Sequence, residues 1–312
     1  MCQLEVIEDY KNFTDPKKSI VTIGTFDGVH IGHQKIIEEL VLAAKKENCN
    51  SVLLTFFPHP RMVLQKDNSI KLINTIDERI EILKQTGLDY LIIHPFDTAF
   101  SRLLALDFVR DILVNHLNTF QLVIGYDHRF GRNREGDFEQ LEEYGEMYDF
   151  SVHEIPAQDV NAISISSTKI RKALSKGEIR KVTEYLGHAF SISGTVVKGE
   201  RLGNTIGYPT ANLEIAESYK LIPKNGVYVV RSKINDSYVN GMMNIGVRPT
   251  VNGMHQTIET HFFDFDTDLY GQKLQIELIA FLREERKFDS VEALKNQLEK
   301  DKINSLVLLQ QV

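Results

Sequence analysis

The 312-residue sequence has few cysteines and no long run of apolar residues. Cys2 and Cys49 are the only cysteines, and their spacing fits neither a disulfide framework nor a metal-binding pair, so we expect a reducing compartment, the cytoplasm. No segment approaches the ~20 apolar residues that cross a bilayer, and the acidic amino-terminal residues do not form a secretory signal. We therefore expect no membrane partner.

An excess of positive charge is also absent. The chain has 36 Lys and Arg against 43 Asp and Glu, a formal net charge of −7. Because a general nucleic-acid-binding surface is normally basic, we expect no nucleic-acid partner, although local basic pockets for nucleotides remain compatible with this charge. The length is enough for two globular domains of about 150 residues each.

The first half of the chain alternates short apolar runs with helical patterns. Strands are predicted at 19–24, 51–57, 90–94, 120–125 and 150–155, and helices at 33–47, 76–86, 105–117 and 138–147. This alternation predicts βαβ units and a parallel sheet, an α/β architecture typical of nucleotide-binding domains.

From residue 190 the pattern changes to closely spaced strands with Gly and Asn turns. Strands are predicted at 190–197, 226–231, 237–241, 257–263 and 273–279, which indicates a small antiparallel barrel. One or two helices over 168–187 precede it, and Asp289-Ser290 caps a final helix with an apolar stripe of Val291, Leu294 and Leu298. We therefore predict two domains, residues 1–187 and 188–312.

Residues 24–33 (GTFDGVHIGH) lie between the first predicted strand and its helix. Glycines let the backbone approach a polyphosphate, and the N–H groups of a helix start favour anions. Two imidazoles three residues apart, His30 and His33, can both donate hydrogen bonds to phosphoryl oxygens. The segment predicts a phosphate site; the alternative is a glycine turn with two surface histidines.

Two further polar segments of the same half are expected at the carboxyl edge of the sheet. Residues 125–137 (GYDHRFGRNREGD) contain three arginines, and residues 164–171 (SISSTKIR) place hydroxyls at a helix start with cations on its first turn. Hydroxyls and guanidinium groups in these positions can bind phosphate. The alternative for the serines is plain helix capping.

These three segments together resemble the nucleotidyltransferase domain of bacterial bifunctional riboflavin kinase/FMN adenylyltransferase, also called FAD synthetase. The second half resembles the same family through 207–212 (GYPTAN), 244–250 (NIGVRPT), 259–261 (ETH), 268–271 (DLYG) and 282–288 (LREERKF). The resemblance implies a Rossmann-like amino-terminal domain with a parallel sheet. It also implies a carboxyl-terminal antiparallel β-barrel of the riboflavin kinase type with a terminal helix.

For the first domain, the resemblance implies transfer of adenylate from ATP to FMN, giving FAD and pyrophosphate. It implies that His30 and His33 steady the α-phosphate and that Arg171 stabilises charge with Mg²⁺, with no enzyme nucleophile. Asp127 occupies a position for substrate contact where related sequences carry Asn or Asp. The remaining nucleotide-binding residues that it implies are Gly24, Phe26, Asp27, Gly32, Ser166, Ser167 and Thr168.

For the second domain, the resemblance implies phosphorylation of riboflavin by ATP to FMN. Glu259 would take the proton from the terminal ribityl hydroxyl, and Thr210 and Asn212 would coordinate the Mg²⁺ of ATP. The resemblance further implies that Gly199 and Gly203 lie in a loop over the phosphates. It implies a flavin-binding set of Arg283, Glu285 and Phe288.

One departure from the family pattern lies at Asn204, where related sequences commonly carry arginine; Lys198 or Arg201 could replace that phosphate contact. The resulting hypothesis is an enzyme that makes FMN from riboflavin and then FAD. The alternatives are a chain with one working site, a flavin-binding module without turnover, and a tRNA-synthetase-like enzyme. The presence of Glu259, His30 and His33 argues against a flavin-binding module without turnover. The acidic net charge argues against a tRNA-synthetase-like enzyme.

Overall fold

The computed structural model describes residues 3–64, 70–126, 129–132, 135–156, 165–199, 203, 206–250 and 253–310, with backbone alone at 248–250 and 253–255. Contacts divide the chain into two compact units, Met1–Ser167 and Thr168–Val312. Within the described residues, no helix combines the length and apolarity that a membrane span requires.

The first unit contains one six-stranded sheet in the order β1-β4-β3-β2-β5-β6, and every pair of neighbours is parallel. Parallel sheets are covered on both faces, which explains why strands such as β2 are buried at every position. The strands are β1 Glu5–Glu8, β2 Ser19–Ile23, β3 Asn50–Phe57, β4 Tyr90–Pro95, β5 Thr119–Gly125 and β6 Ser151–Ile155.

The helices of the first unit follow the predicted pattern, except that α2 was not predicted and that the helix predicted over 105–117 differs in type. They are α1 Ile31–Lys46, α2 Pro60–Leu64, α3 Ile76–Leu83, α4 Ala105–Asp107 and α5 Phe138–Tyr148. The helix predicted over 105–117 is not uniform, because α4 continues as a π-helix over Phe108–Val114. This wider segment still buries four apolar side chains, Phe108, Val109, Ile112 and Leu113.

The strand order creates a switch point at the carboxyl edge of the sheet. From β2 the chain adds β3 and then β4 on one side, and later adds β5 and β6 on the other side of β2. Open α/β sheets bind ligands at such points, where successive strands leave in opposite directions. The histidine-containing segment follows β2, so the fold places it beside this switch point.

The second unit is built on a closed antiparallel barrel with the strand order β10-β11-β8-β7-β12-β9. Its strands are β7 Phe190–Val197, β8 Ala211–Glu214, β9 Gly226–Ile234, β10 Ser237–Thr250, β11 Gly253–Phe262 and β12 Lys273–Arg283. The fold class predicted from the sequence is confirmed for both halves.

Two helices follow the sheet and precede the barrel in the sequence. They are α6 Ser167–Leu174 and α7 Ile179–Leu186, and both contact the second unit. The N–H of Lys224 donates to the carbonyl of Leu174 at 3.1 Å, and Gly177 lies against the ring of Phe281. These contacts explain why the compact units divide after Ser167, the first residue of α6, whereas the boundary predicted from the sequence falls after α7.

The final helix, α8 Val291–Leu309, begins as predicted, since the Ser290 hydroxyl accepts the N–H of Ala293 at 3.1 Å. The predicted apolar stripe is wrong at Val291, which is 60% exposed. The fully buried positions of α8 are instead Asp301 and Ser305. Polar contacts therefore contribute to docking this helix, in addition to apolar packing by residues such as Leu298.

Candidate active sites

The turn after β2 has an unusual backbone. Phe26 and Val29 have φ values of 45° and 41°, on either side of Gly28 at 93°. The left-handed region is unfavourable for side chains other than glycine, most of all for a β-branched residue, and it persists only where surrounding contacts impose it. Val29 is fully buried. We conclude that this turn is held in a strained shape.

Asp27 supplies much of that constraint. Its buried carboxylate accepts the N–H groups of Ile73 at 2.9 Å and Asn74 at 3.4 Å. The backbone carbonyl of Asp27 accepts the Ser167 hydroxyl at 2.9 Å. Asp27 thus fixes the shape of the turn through segments 46 and 140 residues away in the sequence.

The two histidines form one stacked unit at the start of α1. Their ring centroids are 3.6 Å apart with an interplanar angle of 15°. His30 is the N-cap, and its Nδ1 accepts the N–H of His33 at 3.3 Å. A neutral His30 therefore carries its ring proton on Nε2, which makes this atom a hydrogen-bond donor.

His33 is kept uncharged by its surroundings. Burial, together with the positive charges of His30 and Arg79, holds the pKa of His33 well below its ordinary value of 6.5. Its buried Nδ1 has no hydrogen-bond partner within the described part of the chain. A buried ring nitrogen in this position is suited to hydrogen bonding with a ligand that enters beside the start of α1.

Gly24 and Phe26 shape the other side of the turn. The Phe26 ring lies 4.8 Å from the His33 ring, centroid to centroid. A Cβ on Gly24 would lie only 2.9 Å from Cε2 of Phe26, so glycine provides the space for this ring. Gly32 is buried in the first turn of α1. The turn thus places Gly24 against Phe26 and Phe26 against His33, three of the six site residues predicted here.

The loop after β5 shows internal pairing among its described residues. Arg129 donates to Asp137 at 2.8 Å, and Phe130 and Gly136 exchange backbone hydrogen bonds. Asp127 lies outside the described residues. Ser167 reaches the turn through the carbonyl of Asp27, and the nucleotide contacts of Ser166, Ser167, Thr168 and Arg171 stay predictions.

The barrel aligns a row of polar side chains across three strands. Strand register pairs Asn212 on β8 with Glu259 on β11, and Glu259 with Asn244 on β10. Directly paired residues project from the same face of a sheet. The flanking Ile258 and Thr260 are buried, so the row faces outward from the barrel interior.

Neighbouring groups complete this row. The Thr210 hydroxyl donates to Oε2 of Glu259 at 3.5 Å, and Nδ2 of Asn244 donates to Oε1 of Glu285 at 3.3 Å. A Cβ on Gly199 would overlap the amide of Asn212. The structure thus assembles five of the predicted residues, Gly199, Thr210, Asn212, Glu259 and Glu285, and adds Asn244, whose position becomes evident only from the register.

The loop that precedes Asn212 is held from two sides. The Tyr208 hydroxyl donates to Oε2 of Glu299 on α8 at 2.7 Å, and Nδ1 of His261 donates to the carbonyl of Pro209 at 2.8 Å. The backbone N–H of Tyr208 donates to the carbonyl of Gly203 at 2.9 Å. These contacts position Thr210 next to Glu259.

Arg283 connects β12 to the final helix. Its Nη2 donates to Oδ2 of Asp301 at 2.7 Å and its Nη1 to the carbonyl of Glu284 at 2.9 Å. The guanidinium groups of Arg283 and Arg286 lie 5.8 and 4.8 Å from the centroid of the Phe288 ring. The flavin contacts of Arg283, Glu285 and Phe288 stay predictions.

We expect Asp301→Asn to destabilise the chain by about 3–5 kcal/mol, because it leaves the Arg283 guanidinium without its buried counter-charge. Asp264→Asn is a matched control, since Asp264 is 86% exposed and pairs with Lys302 on the same helix at 3.4 Å. Exposed pairs contribute about 0–1 kcal/mol. Urea unfolding of both variants checks this, and equal midpoints would contradict it.

The row of Thr210, Asn212 and Glu259 offers the hard oxygen atoms that Mg²⁺ prefers. Across the described ranges, no cluster of three or more His, Cys, Asp or Glu residues could hold a metal ion. A site that uses one or two protein oxygens together with nucleotide phosphates fits this donor set, because Mg²⁺ is commonly held in that way.

Comparisons with known proteins agree with both halves of the structure. A sequence model of the FAD synthetase family matches residues 12–169, and one of the riboflavin kinase family matches residues 186–309. The chain belongs to the bifunctional riboflavin kinase/FMN adenylyltransferase family. The family predicted from the sequence is confirmed.

Relatives of this family match almost end to end. The bifunctional riboflavin kinase/FMN adenylyltransferase of Buchnera aphidicola (subsp. Schizaphis graminum) is 40% identical over 288 residues, 91% of each chain. The protein of the same name from Escherichia coli K12 is 37% identical over 287 residues, 92% of this chain and 91% of that one.

A similar crystal structure carries a different name. It is called a macrolide-efflux protein from Streptococcus pneumoniae, and it has a TM-score of 0.87 with 31% identity over 97% of this chain and 98% of that chain. The match covers both halves of the present chain. The family assignment of the present chain rests on the two family matches and the relatives above.

Proposed function

We propose that the chain phosphorylates riboflavin with ATP to give FMN and ADP, and adenylylates FMN with a second ATP to give FAD and pyrophosphate. The observation that supports this most is the presence of two differently built polar sites. The histidine turn lies within the FAD synthetase match, and the row around Glu259 lies within the riboflavin kinase match.

In the kinase reaction, we assign Glu259 as the general base. It takes the proton of the terminal ribityl hydroxyl while that oxygen attacks the γ-phosphorus of ATP and the bond to the β-phosphate oxygen breaks. Thr210 and Asn212 would hold Mg²⁺, which neutralises phosphate charge when bound. Thr210 also orients the base through its 3.5 Å hydrogen bond to Oε2.

In the adenylyl transfer, an oxygen of the FMN phosphate attacks the α-phosphorus of ATP and pyrophosphate leaves. The FMN phosphate oxygen is itself the nucleophile and is already ionised, so the reaction needs neither an enzyme nucleophile nor a general base. The Nε2–H of His30 and a ring nitrogen of His33 are assigned to the phosphoryl oxygens, where fixed donors stabilise the charge that develops. The start of α1 adds its backbone N–H groups.

We place both reactions in the cytoplasm. Cys49 is a buried free thiol, and both reactions consume ATP. The partners are accordingly small molecules, namely riboflavin, FMN, FAD and ATP.

Chromatography of the products from riboflavin, ATP and Mg²⁺ tests this proposal directly. The purified chain is expected to produce FMN first and FAD later. FMN without FAD would mean that only the second domain works. Bound riboflavin without any product would mean a flavin-binding module.

We expect chelation of divalent ions with EDTA to stop both steps, because ATP phosphate charge is then not neutralised. Adding Mg²⁺ in excess of the chelator should restore both products. The initial rates of FMN and FAD formation are the measurement. FMN formation that survives chelation contradicts the metal role assigned to Thr210 and Asn212.

A further inference from the structure

A buried cation, Arg79, lies on α3, a helix that has no assigned role in either proposed reaction. Arg79 is 1% exposed and is among the largest fully buried side chains of the chain. A buried charge is costly unless specific hydrogen bonds and charges compensate for it. Its contacts therefore indicate what this arginine contributes.

The guanidinium of Arg79 is connected to the histidine turn through one hydroxyl. Nη1 of Arg79 donates to Oγ1 of Thr55 at 3.4 Å, and this hydroxyl donates to the carbonyl of Thr25 at 3.4 Å. Thr55 is completely buried on β3. Thr25 lies between Gly24 and Phe26, so the connection ends on the strained turn itself.

The residues directly before α3, the helix that carries Arg79, are hydrogen-bonded to the same turn. Asp27 accepts the N–H groups of Ile73 and Asn74, directly before α3. The helix then begins with a capping box, in which the Thr75 hydroxyl accepts the N–H of Glu78 at 3.1 Å and the Glu78 carboxylate accepts the N–H of Thr75 at 3.0 Å. Hydrogen bonds thus link the histidine turn to helix α3 and to strand β3, and link α3 to β3.

The charge of Arg79 also acts on the catalytic pair. An arginine stays protonated at all physiological pH values. Burial is the largest cause of the lowered pKa of His33, the positive charge of His30 is the next, and the charge of Arg79 lowers this pKa further. The rings that contact His33 are those of His30 and Phe26, and the charged groups that act on it are His30 and Arg79.

We propose that Arg79 is a positioning residue for adenylyl transfer, which fixes the histidine turn at Thr25 through Thr55 and sets a permanent positive charge within electrostatic range of His33. The inference rests on the role in FAD formation proposed for the two histidines.

Arg79→Met tests both parts of the proposal. We expect kcat of FAD formation from supplied FMN to fall roughly 10- to 100-fold, since small displacements of reacting groups have effects of this size. Riboflavin phosphorylation should be unchanged. Without the nearby positive charge the pKa of His33 rises toward 6.5, so the acidic limb of the pH–rate profile for FAD formation should move to higher pH.

Two conservative variants separate geometry from charge. Arg79→Lys keeps the charge but loses the forked guanidinium, so the acidic limb should stay in place while kcat recovers only in part. Thr55→Val removes the hydroxyl link and keeps Arg79, so kcat should fall with an unmoved acidic limb. Either variant tests the proposal if Arg79→Met does not fold.

Arg110→Met is the matched control in the same domain, because Arg110 is 44% exposed and pairs with Asp107 on the surface. It should change neither rate nor pH profile. If His30→Ala does not form FAD but Arg79→Met keeps its kcat and pH profile, the inference about Arg79 is overturned and the proposed role of the histidines stands. Full FAD formation by His30→Ala would overturn both the inference and the proposed role of the histidines.

Discussion

Glu259→Gln is expected to lower kcat for FMN formation by about 10²- to 10⁴-fold, the range that a positioned general base contributes. FAD formation from supplied FMN should continue at the original rate, because the histidine turn belongs to the other compact unit. The measurement is kcat for each step, assayed separately with riboflavin and with FMN as the starting flavin.

The amide replacement is well suited to this site because it preserves shape and removes basicity. The glutamine oxygen can still accept the Thr210 hydroxyl that now reaches Oε2 at 3.5 Å. The strand register that pairs residue 259 with Asn212 and Asn244 depends on the backbone and should be retained. The expected loss therefore reports on proton transfer and not on the fold of the barrel.

A second barrel glutamate provides the control. Glu277 on β12 pairs with Arg231 at 2.6 Å on the barrel surface and has no place in the polar row. Glu277→Gln should leave both reactions intact. Equal loss of FMN and FAD formation in Glu259→Gln would contradict the assignment, as would full FMN formation by that variant.

The sequence predicts the two architectures well because each has a strong local pattern. Buried parallel strands such as β2 and β3 appear as short apolar runs between helices, and the barrel strands appear as closely spaced runs between Gly and Asn turns. Strands β1 and β8 were missed. Each has four residues, and each becomes a strand through pairing with a partner that is distant in the sequence.

Some site residues can be predicted from local sequence motifs, whereas others become evident only from the fold. His30, His33, Thr210, Asn212 and Glu259 belong to recognisable motifs, and the structure brings the two histidines together and the other three together. The role of Asn244 in the polar row follows only from strand register.

Arg79 was missed for a different reason. Nothing in the local sequence of α3 marks this arginine as buried, since a charged residue in a helical pattern normally faces solvent. The contact that brings the start of α3 to the turn joins Asp27 to residues 73–74, which are distant in the sequence. Asp301 on α8 is a parallel case, buried through its pairing with Arg283.

His30→Ala is expected to lower kcat for FAD formation from FMN by about 10²- to 10³-fold, the effect of removing one fixed donor from a developing charge. Riboflavin phosphorylation should be unaffected. His153→Ala is the matched control, because His153 is an exposed histidine on β6 of the same sheet. Assays of both steps with both variants provide the measurement.

His30 also caps α1, so the alanine variant removes two functions at once. His30→Asn separates them, because asparagine is a strong N-cap whose side-chain oxygen can accept the His33 N–H that Nδ1 of His30 now accepts at 3.3 Å. We expect this variant to retain the thermal stability of the parent chain and still to lose FAD formation, since its shorter side chain does not reproduce the Nε2–H. Normal FAD formation by His30→Asn would show that the imidazole serves only as a cap, and the catalytic contact would then belong to His33 alone.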